Sequence, residues 1–379
     1  PEIHITIGGS VFTKLVDRLE KQGSHLFNFV DSFVVHEGET PLLKLVEHLR
    51  GDGDLSKVPN LVYRQDGEVK VNRPFAKEEL NALPTPDFDG LPLDLYLSPE
   101  RVLPVMGSRG CYWEKCAFCS IPFDHMTFHV RYAENVVNDF KNLQEKYNCN
   151  NFFFTDEALP INFLRTFAAK IIEQKVDVQW TGELKFEKSL LKDDRMDLLY
   201  KSGCRKLIFG LESYNQRVLD SMKKGVELSW VDETAERCIK LGIAMHFYLI
   251  CGFPTETREE VMDSINFVLN NQRLLDSPGF SAILSQFDLE RGAPIENNPM
   301  EWGITKLYTP PEHDLSLGYS YETSIGMNAE ETNELYQQLI EKLGREVMTF
   351  PHNYSLSDGL LYLAYHQKHS LTERLGTLA

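Results

Sequence analysis

The sequence lacks the features of several common protein classes. No apolar run approaches the ~18 residues that a membrane-spanning helix needs, and we find no secretory signal. Basic residues are scarce: 39 Lys and Arg stand against 56 Asp and Glu, which gives a formal net charge of −17. Because a nucleic-acid-binding surface needs an excess of Lys and Arg to face phosphate, the composition argues against nucleic acid as a partner. The short apolar runs lead us to expect no membrane partner either.

Disulfide bonding is not indicated either. The chain has seven cysteines, an odd number without the regular spacing of a disulfide framework. Reduced thiols are typical of the cytosol, so we expect a cytoplasmic protein. The remaining composition, 42% apolar and 25% charged residues, is that of a globular protein. The chain begins with Pro1 rather than Met, and we interpret it as a fragment of a longer protein.

The chain divides into four segments that differ in composition and pattern. In order, they are a partial Rossmann-like α/β segment, a proline-rich linker, a strand–helix alternation and a C-terminal cap that we expect to be mostly helical. The segments cover residues 1–75, 76–102, 103–290 and 291–379, respectively.

The two outer segments carry local predictions. The apolar run Ile3–Ile7 predicts a buried strand that ends in a tight turn at Gly8 and Gly9. In the C-terminal cap, helical spacing predicts one helix over Asn328–Met348, with Asn328 as its N-cap, and another over Ser355–His366.

Six apolar runs alternate with helical patterns in the third segment. They predict an α/β fold with a partial parallel (β/α)6 barrel, and such sheets bind ligands at the carboxyl ends of their strands. The predicted strands are Leu103–Met106, Phe152–Thr155, Val178–Thr181, Lys206–Leu211, Ile243–Ile250 and Phe280–Leu289. Residues that follow these strands should therefore meet at one mouth: Cys111–Cys119, Asp156–Glu157, Glu183, Glu212–Ser213 and Gly252–Pro254.

Three cysteines, Cys111, Cys116 and Cys119, lie in one short loop. Such a loop can direct three thiolates at one point, and thiolates select iron–sulfur clusters, zinc or copper over hard cations. Three thiolates on a four-iron cluster leave one iron open, which favours a catalytic role. A structural zinc site completed by His125 or His129 has acceptable ligand spacing, and it would make the chain a zinc-binding interaction module. The other four cysteines are predicted to be buried apolar residues.

This loop, the acidic residues after the second and fourth strands, and the Gly252-Phe253-Pro254 segment resemble the radical S-adenosylmethionine (SAM) enzymes. The family's usual spacing is C-x3-C-x2-C, whereas four residues separate Cys111 from Cys116 here. We expect the extra residue to bulge the loop without redirecting the thiolates. The resemblance implies that the cysteines hold a [4Fe-4S] cluster. It further implies that the open iron binds the methionine end of SAM, and that an electron from the cluster cleaves SAM to a 5′-deoxyadenosyl radical.

The resemblance also implies which residues contact SAM. They follow the strands of the barrel, where a carboxylate suits the methionine ammonium and a glycine lets the backbone approach closely. The implied contacts are Phe118 beside the adenine, Asp156 or Glu157 at the ammonium, Glu212 and Ser213 at the ribose and methionine end, and Gly252, Phe253 and Pro254 against the adenine. Glu183, which the strand pattern places at the mouth, is a further candidate for cofactor binding.

Residues 1–75 resemble the C-terminal half of the cobalamin-binding domain that precedes the barrel in one subgroup of the family. Gly8-Gly9 and the run from Asp31 to Thr40 carry this second resemblance. The usual lower-ligand signature, Asp-x-His-x-x-Gly, is not present; it normally lies in the half of the domain that would precede Pro1. The resemblance implies cobalamin as a further cofactor.

These observations favour a radical SAM enzyme that starts radical chemistry on a peptide or a small natural product. The leading reaction is cobalamin-dependent methylation of carbon. Epimerisation, crosslinking or rearrangement without cobalamin is the alternative within the family. Either reaction needs an external electron donor such as flavodoxin or ferredoxin. Residues 291–379 match no known motif, so the sequence does not identify the substrate.

Overall fold

The computed structural model describes residues 3–96, 100–309 and 315–346. The chain begins with a four-stranded sheet in which the first two strands are parallel and the remaining neighbours are antiparallel. Its strands, in sheet order, are β1 (Thr6–Gly8), β2 (Ser32–Val34), β3 (Leu61–Gln65) and β4 (Glu68–Val71). The helices that accompany this sheet are α1 (Ser10–Lys14), α2 (Val16–Gln22) and α3 (Glu39–Leu49).

The prediction of a buried first strand is wrong. Ile3 is 85% exposed, and Ile5 and Ile7 are also exposed. The physical reason is the position of β1, which ends the sheet and pairs only with β2 in the described part of the chain. An apolar run is typical of a buried strand, but it does not reveal whether a neighbour covers that strand.

The second sheet is parallel throughout, and its order is β12-β11-β10-β9-β8-β5. Its strands are β5 (Val102–Val105), β8 (Asn151–Phe154), β9 (Gln179–Leu184), β10 (Cys204–Glu212), β11 (Ala244–Cys251) and β12 (Ser281–Gln286). A separate short antiparallel ribbon follows β5 and consists of β6 (Ser108–Arg109) and β7 (His129–Val130). The connecting helices are α4 (Ile121–His125), α5 (Ala133–Tyr147), α6 (Ile161–Glu173), α7 (Arg195–Lys201), α8 (Gln216–Ser221), α9 (Leu228–Leu241), α10 (Arg258–Leu269) and α11 (Gln272–Leu275).

This strand order confirms the predicted parallel barrel-like sheet. Each strand lies beside its predecessor in the chain, so right-handed crossovers place the main helices on the same face. β5 and β12 are the end strands, and among the described residues they do not pair with each other. The carboxyl ends of all six strands therefore meet at one edge, which is where parallel sheets bind ligands.

Aromatic packing fixes the strands that carry this edge. Phe140 of α5 stacks on Phe152 of β8 with ring centroids 4.3 Å apart, and Phe167 of α6 meets Trp180 of β9 edge-on. All four side chains are fully buried, and burying a large apolar side chain contributes about 1.5–3 kcal/mol. The ends of β8 and β9 are thus held from the helix side.

The C-terminal part adds a third sheet that the sequence did not predict. It is antiparallel, with the order β13-β15-β14, and consists of β13 (Leu289–Glu290), β14 (Ile304–Tyr308) and β15 (Gly318–Thr323). The predicted sixth barrel strand was therefore too long: β12 ends at Gln286, and Leu289 begins a different sheet. The expectation of a mostly helical cap is incomplete for the same reason.

The predicted cap helix is present as α12 (Ala329–Glu346). The Asn328 side chain accepts hydrogen bonds from the backbone N–H groups of Glu330 and Glu331, both at 3.0 Å, which confirms it as the N-cap. Leu335 and Leu339 are buried in the main core. The helix predicted over Ser355–His366 lies outside the described residues.

No helix in the described ranges is both long enough and apolar enough to cross a membrane.

Candidate active site

The three loop cysteines lie together at the carboxyl edge of the parallel sheet. The β6–β7 ribbon pairs Arg109 with His129 and so ties the two ends of the loop. Cys111, Cys116 and Cys119 are free and half-buried, and all three line one cavity of about 140 Å³. The fold thus brings three thiols to one space, as the spacing suggested.

The extra residue in the cysteine spacing turns toward solvent. Glu114 has a left-handed backbone conformation, with φ of 52°, and its side chain accepts a hydrogen bond from the Phe128 N–H at 2.8 Å. A single residue in this conformation reverses the local direction of the chain. The additional length is therefore taken up on the exposed side of the loop, and the thiols remain on the cavity side.

The connection between α8 and α9 anchors the cysteine loop. The Trp113 indole N–H donates to the Lys223 carbonyl at 2.9 Å, and the Ala117 N–H donates to the Met222 carbonyl at 2.9 Å. The Trp113 ring packs on Gly225, where a Cβ would lie 2.2 Å from the ring. Glycine at this position lets the loop approach the connection closely, and the loop is fixed before any ligand binds.

Three carboxylates share the cavity with the thiols: Glu157, Glu183 and Glu212. They come from the ends of β8, β9 and β10. Glu183 accepts a hydrogen bond from the Tyr248 hydroxyl at 3.2 Å. Burial, followed by repulsion from Glu157, raises the pKa of Glu183 to about 7. The site therefore offers both charged and readily protonated carboxyl groups beside the sulfur atoms.

Of the adjacent pair after β8, only Glu157 lines the cavity. Asp156 is buried, and its carboxylate accepts hydrogen bonds from the Gly107 N–H at 2.9 Å and from the Ser108 hydroxyl at 2.5 Å. Asp156 thus holds the strand end that leads into the cysteine loop. The structure favours Glu157 over Asp156 as the ligand-facing residue.

Asp156 should make stability depend on pH. Burial raises its pKa from 3.8 to about 7, so the folded state retains a proton that the unfolded chain loses. The resulting stabilisation is complete below the unfolded pKa and disappears as the pH rises through the folded pKa, a difference of roughly 4 kcal/mol. We expect the free energy of unfolding of Asp156→Asn to rise relative to wild type between about pH 4 and about pH 7.

Urea unfolding of the two proteins across this range measures that difference directly. Asparagine can keep both hydrogen bonds but cannot ionise, so it isolates the titration from the contacts. A constant difference between the two proteins at all pH values would contradict the assignment.

Two predicted contact positions lie away from the cavity. The buried Ser213 hydroxyl is 3.2 Å from the Ser264 hydroxyl on α10. In the Gly252-Phe253-Pro254 turn, the N–H groups of Gly252 and Phe253 donate to the Glu256 carboxylate at 2.8 and 3.2 Å. Neither segment lines the space that contains the thiols.

The Gly252-Phe253-Pro254 turn is nevertheless linked to the cavity through an aromatic contact. Phe118, which lines the cavity, packs edge-on against Phe253 with ring centroids 6.5 Å apart. Sequence reasoning missed Glu256, the buried acid that holds the turn. Burial raises its pKa to about 8, and one of its oxygens has no hydrogen-bond partner among the described atoms.

Two lysines also line the cavity. They are Lys185, directly after β9, and Lys224, which the strand pattern does not predict at the site. The Lys224 ammonium lies 2.6 Å from the Glu212 carboxylate. Burial is the largest single influence on the pKa of Lys224 and acts to lower it, but the charge and hydrogen bond of Glu212 together with the charges of Cys116 and Cys119 raise the pKa above its ordinary value. Burial raises the pKa of the Cys116 thiol, and the charge of Lys224 opposes that rise.

His129, one of the two histidines of the zinc alternative, does not line the thiol cavity. In the described ranges, no three His, Cys, Asp or Glu side chains are close enough together to hold a single metal ion. The His129 ring contacts Glu37 at 2.9 Å instead of facing the thiols, and the His125 side chain lies outside the described part. A four-iron cluster binds each cysteine through a different iron, so it suits three thiols that line a shared cavity. The three thiols, with two lysines in the same cavity, therefore fit a cluster.

A second and larger cavity lies at the carboxyl ends of the parallel strands β1 and β2. Its volume is about 520 Å³, within the range of ordinary ligand pockets. Both segments that resemble a cobalamin-binding domain line it: Gly8-Gly9 and Glu37-Gly38-Glu39. Arg109 completes the wall and donates to the Glu39 carboxylate at 3.1 Å. Because Arg109 precedes Cys111 by two residues, the two cavities flank the same segment.

Comparison with known proteins agrees with this geometry. Residues 105–268 match the Radical SAM superfamily, and the match covers the cysteine loop and the strands that surround the cavity. Residues 105–268 are a radical SAM domain. The predicted family is thereby confirmed, and the radical SAM domain contains the thiol-lined cavity.

Similar proteins extend the comparison to the whole chain. An uncharacterized methyltransferase of Pyrococcus horikoshii is 29% identical over 63% of this chain and 52% of its own length. The chain thus spans about half the length of this curated relative. The radical SAM methyltransferase TsrM from Kitasatospora setae has a TM-score of 0.69 at 16% identity, covering 99% of this chain and 82% of that one.

The cobalamin-dependent radical SAM enzyme OxsB has a TM-score of 0.66 at 15% identity, covering 89% of this chain and 54% of that one. At such identities the two solved structures show a shared fold. They confirm the radical SAM fold for a chain that includes the N-terminal sheet.

Proposed function

We propose that this chain is a cobalamin-dependent radical SAM enzyme that methylates a carbon atom of a small molecule. The observation that carries the proposal is the meeting of three thiols with three carboxylates in one cavity at the carboxyl edge of the parallel sheet. Cys111, Cys116 and Cys119 would hold the [4Fe-4S] cluster, which supplies the electron for cleavage of SAM when bound. Glu157, Glu183 and Glu212 of the same cavity are acidic side chains that would suit an ammonium group of SAM.

Individual residues of the cavity have distinct proposed roles. The exposed carboxylate of Glu157 lies at the mouth of the cavity, where it would accept a hydrogen bond from the methionine ammonium of SAM. Phe118, supported by Phe253, provides an apolar surface beside the adenine. Glu183, held by the Tyr248 hydroxyl, lies deeper and can take up or release a proton near neutral pH. The protein orients the ligand and excludes water, and the cofactor supplies the radical chemistry.

The larger cavity is the proposed position of cobalamin. The parallel pair β1–β2 ends there in Gly8-Gly9, and the backbone of these glycines permits close contact with a bulky ligand. Cobalamin, when bound, relays a methyl group to carbon. His36 lines the cavity, but its ring nitrogen Nδ1 is already paired with the Asp124 carbonyl at 3.0 Å. This contact leaves Nε2 as the ring nitrogen of His36 that can face a ligand in the cavity.

The comparisons support methylation over the alternative of epimerisation or crosslinking. The Pyrococcus horikoshii relative is named as a methyltransferase, and TsrM is a methyltransferase whose structure contains a tryptophan substrate and a SAM analogue. These properties belong to those proteins, and we extend only the reaction class to this chain. A peptide substrate is the finer alternative, and the electron donor is a one-electron carrier such as flavodoxin or ferredoxin.

Turnover products test the proposal. We expect anaerobically reconstituted protein to retain hydroxocobalamin through gel filtration. With a reductant and SAM, it should then form S-adenosylhomocysteine, the product left when SAM donates its methyl group. One-electron cleavage of SAM instead gives methionine and, after hydrogen transfer, 5′-deoxyadenosine. Both should be quantified by mass spectrometry with and without cobalamin.

The control separates the two family reactions. If the protein retains no cobalamin and forms 5′-deoxyadenosine alone at an unchanged rate, the methylation proposal fails and the cobalamin-independent alternative replaces it. If neither product forms despite a full cluster, the assignment of the SAM site is wrong.

A further inference from the structure

We propose that Lys224 balances the charge of the iron–sulfur cluster and raises its reduction potential, with Glu212 as the group that sets the size of the effect. The inference rests on the proposed cluster site. It assigns a positioning role to an ion pair that lies beside the three thiols. Neither residue is a cluster ligand.

The local backbone is built to bring this ion pair into the cavity. Glu212 ends β10 in a left-handed conformation, with φ of 63°, after a register shift between Gly210 and Glu212. This conformation is unfavourable for a residue with a side chain, and here it accompanies a carboxylate that faces inward. A Cβ on Gly210 would lie 2.4 Å from the Glu212 carboxylate and 2.7 Å from the Lys224 ammonium. The missing side chain of Gly210 thus provides the space that the pair occupies.

Lys224 reaches the cavity from the other side. It follows α8 on the connection that anchors the cysteine loop, and its ammonium also lies 5.8 Å from the centre of the Phe118 ring. The side chains of Lys224 and Glu212 are only 12% and 9% exposed. Charges with so little solvent access act on their surroundings through a lower effective dielectric constant than surface charges do.

Lys223, the residue before Lys224, provides a matched control for the loss of the Lys224 charge. Lys223 belongs to the same connection but points away from the thiols. Its side chain is half-exposed, and it pairs with Glu301 at 2.7 Å. Methionine is similar in length to lysine but carries no charge, so each replacement removes one positive charge. The two replacements differ in whether that charge faces the cavity.

A cation beside the cluster should favour its reduced form. Reduction adds a negative charge to a centre that already carries three thiolates, and a nearby ammonium stabilises that added charge. Net charge and solvent exposure are among the factors that set iron–sulfur potentials. Loss of Lys224 should lower the potential, and loss of the Glu212 charge should raise it because the ammonium is then unopposed. A purely structural role would not give shifts of opposite sign.

The experiment is an anaerobic redox titration of the reconstituted cluster, followed by electron paramagnetic resonance without SAM. We expect K224M to shift the midpoint to more negative potential by about 59 mV, a tenfold lower ratio of reduced to oxidised cluster at a fixed potential for a one-electron couple. E212Q should shift it to more positive potential, and K223M should leave it unchanged.

The outcomes distinguish this inference from the proposed function. If the wild-type protein takes up no iron and sulfide, the cluster site itself fails. If the cluster assembles but K224M and E212Q leave its potential unchanged or move it in the same direction, the role of Lys224 is overturned. If K224M no longer holds a cluster, E212Q decides: a positive shift supports the inference, and an unchanged potential contradicts it.

Discussion

Replacing Cys116 with alanine should leave the reconstituted protein without its [4Fe-4S] cluster and without any cleavage of SAM. The cluster needs three protein thiolates, and Cys111, Cys116 and Cys119 are the cysteines that line the cavity. The other four cysteines are buried elsewhere, as predicted, and cannot substitute without unfolding the core. Iron and sulfide analysis, together with absorbance of the reconstituted variant, measures the loss.

Cys149→Ala is the matched control. It removes one thiol of the same kind from a buried position on the approach to β8, so it should retain the full cluster. Circular dichroism of both variants shows whether the fold is intact. A Cys116→Ala protein that keeps wild-type iron and sulfide would mean that the ligand is misassigned.

Replacing Glu157 with glutamine should weaken the binding of SAM by at least about tenfold. A hydrogen bond between an ammonium and a carboxylate contributes about 1.5–3 kcal/mol, and each 1.4 kcal/mol is about a tenfold change in affinity. Glutamine keeps the size and one acceptor oxygen but loses the negative charge. Equilibrium dialysis of SAM against the anaerobic cluster-loaded protein measures the dissociation constant.

The control for this variant is Glu173→Gln on the exposed end of α6. It makes the same chemical change away from the cavity and should bind SAM like the wild type. Cluster content must be equal in all three proteins before the affinities are compared. Unchanged affinity in Glu157→Gln would show that another group receives the ammonium.

The sequence predicted the parts of this protein that follow from local pattern. Six apolar runs at regular spacing gave the parallel sheet, and the position of residues after each strand placed the thiols near Glu157, Glu183 and Glu212. This worked because the carboxyl ends of parallel strands share one edge. The same reasoning gave the N-cap at Asn328.

Side-chain direction was the main limit of the prediction. Asp156 and Glu157 are adjacent and chemically alike, yet one holds the loop start and the other faces the cavity. Ser213 follows Glu212 but bonds to α10. Lys224 reaches the thiols because Gly210 has no side chain and because Glu212 adopts a left-handed conformation. Such features depend on contacts between distant residues, which spacing along the chain does not encode.

The second limit of the prediction was that the sequence does not show which elements cover or pair with one another. The apolar run at Ile3–Ile7 has the composition of a buried strand, but β1 ends its sheet. The short strands β14 and β15 lack a long apolar run, and β15 pairs with both β13 and β14. Both cases depend on which elements meet in three dimensions.

The most direct test of the central claim is the spectrum of the reduced, reconstituted wild-type protein before and after SAM is added. We expect about four iron and four sulfide per chain and an electron paramagnetic resonance signal that changes when SAM binds, because SAM would occupy the iron that no cysteine ligates. Two results would contradict the proposed cluster site: a protein that binds about one zinc and no iron, or a cluster whose electron paramagnetic resonance signal does not change when SAM is added.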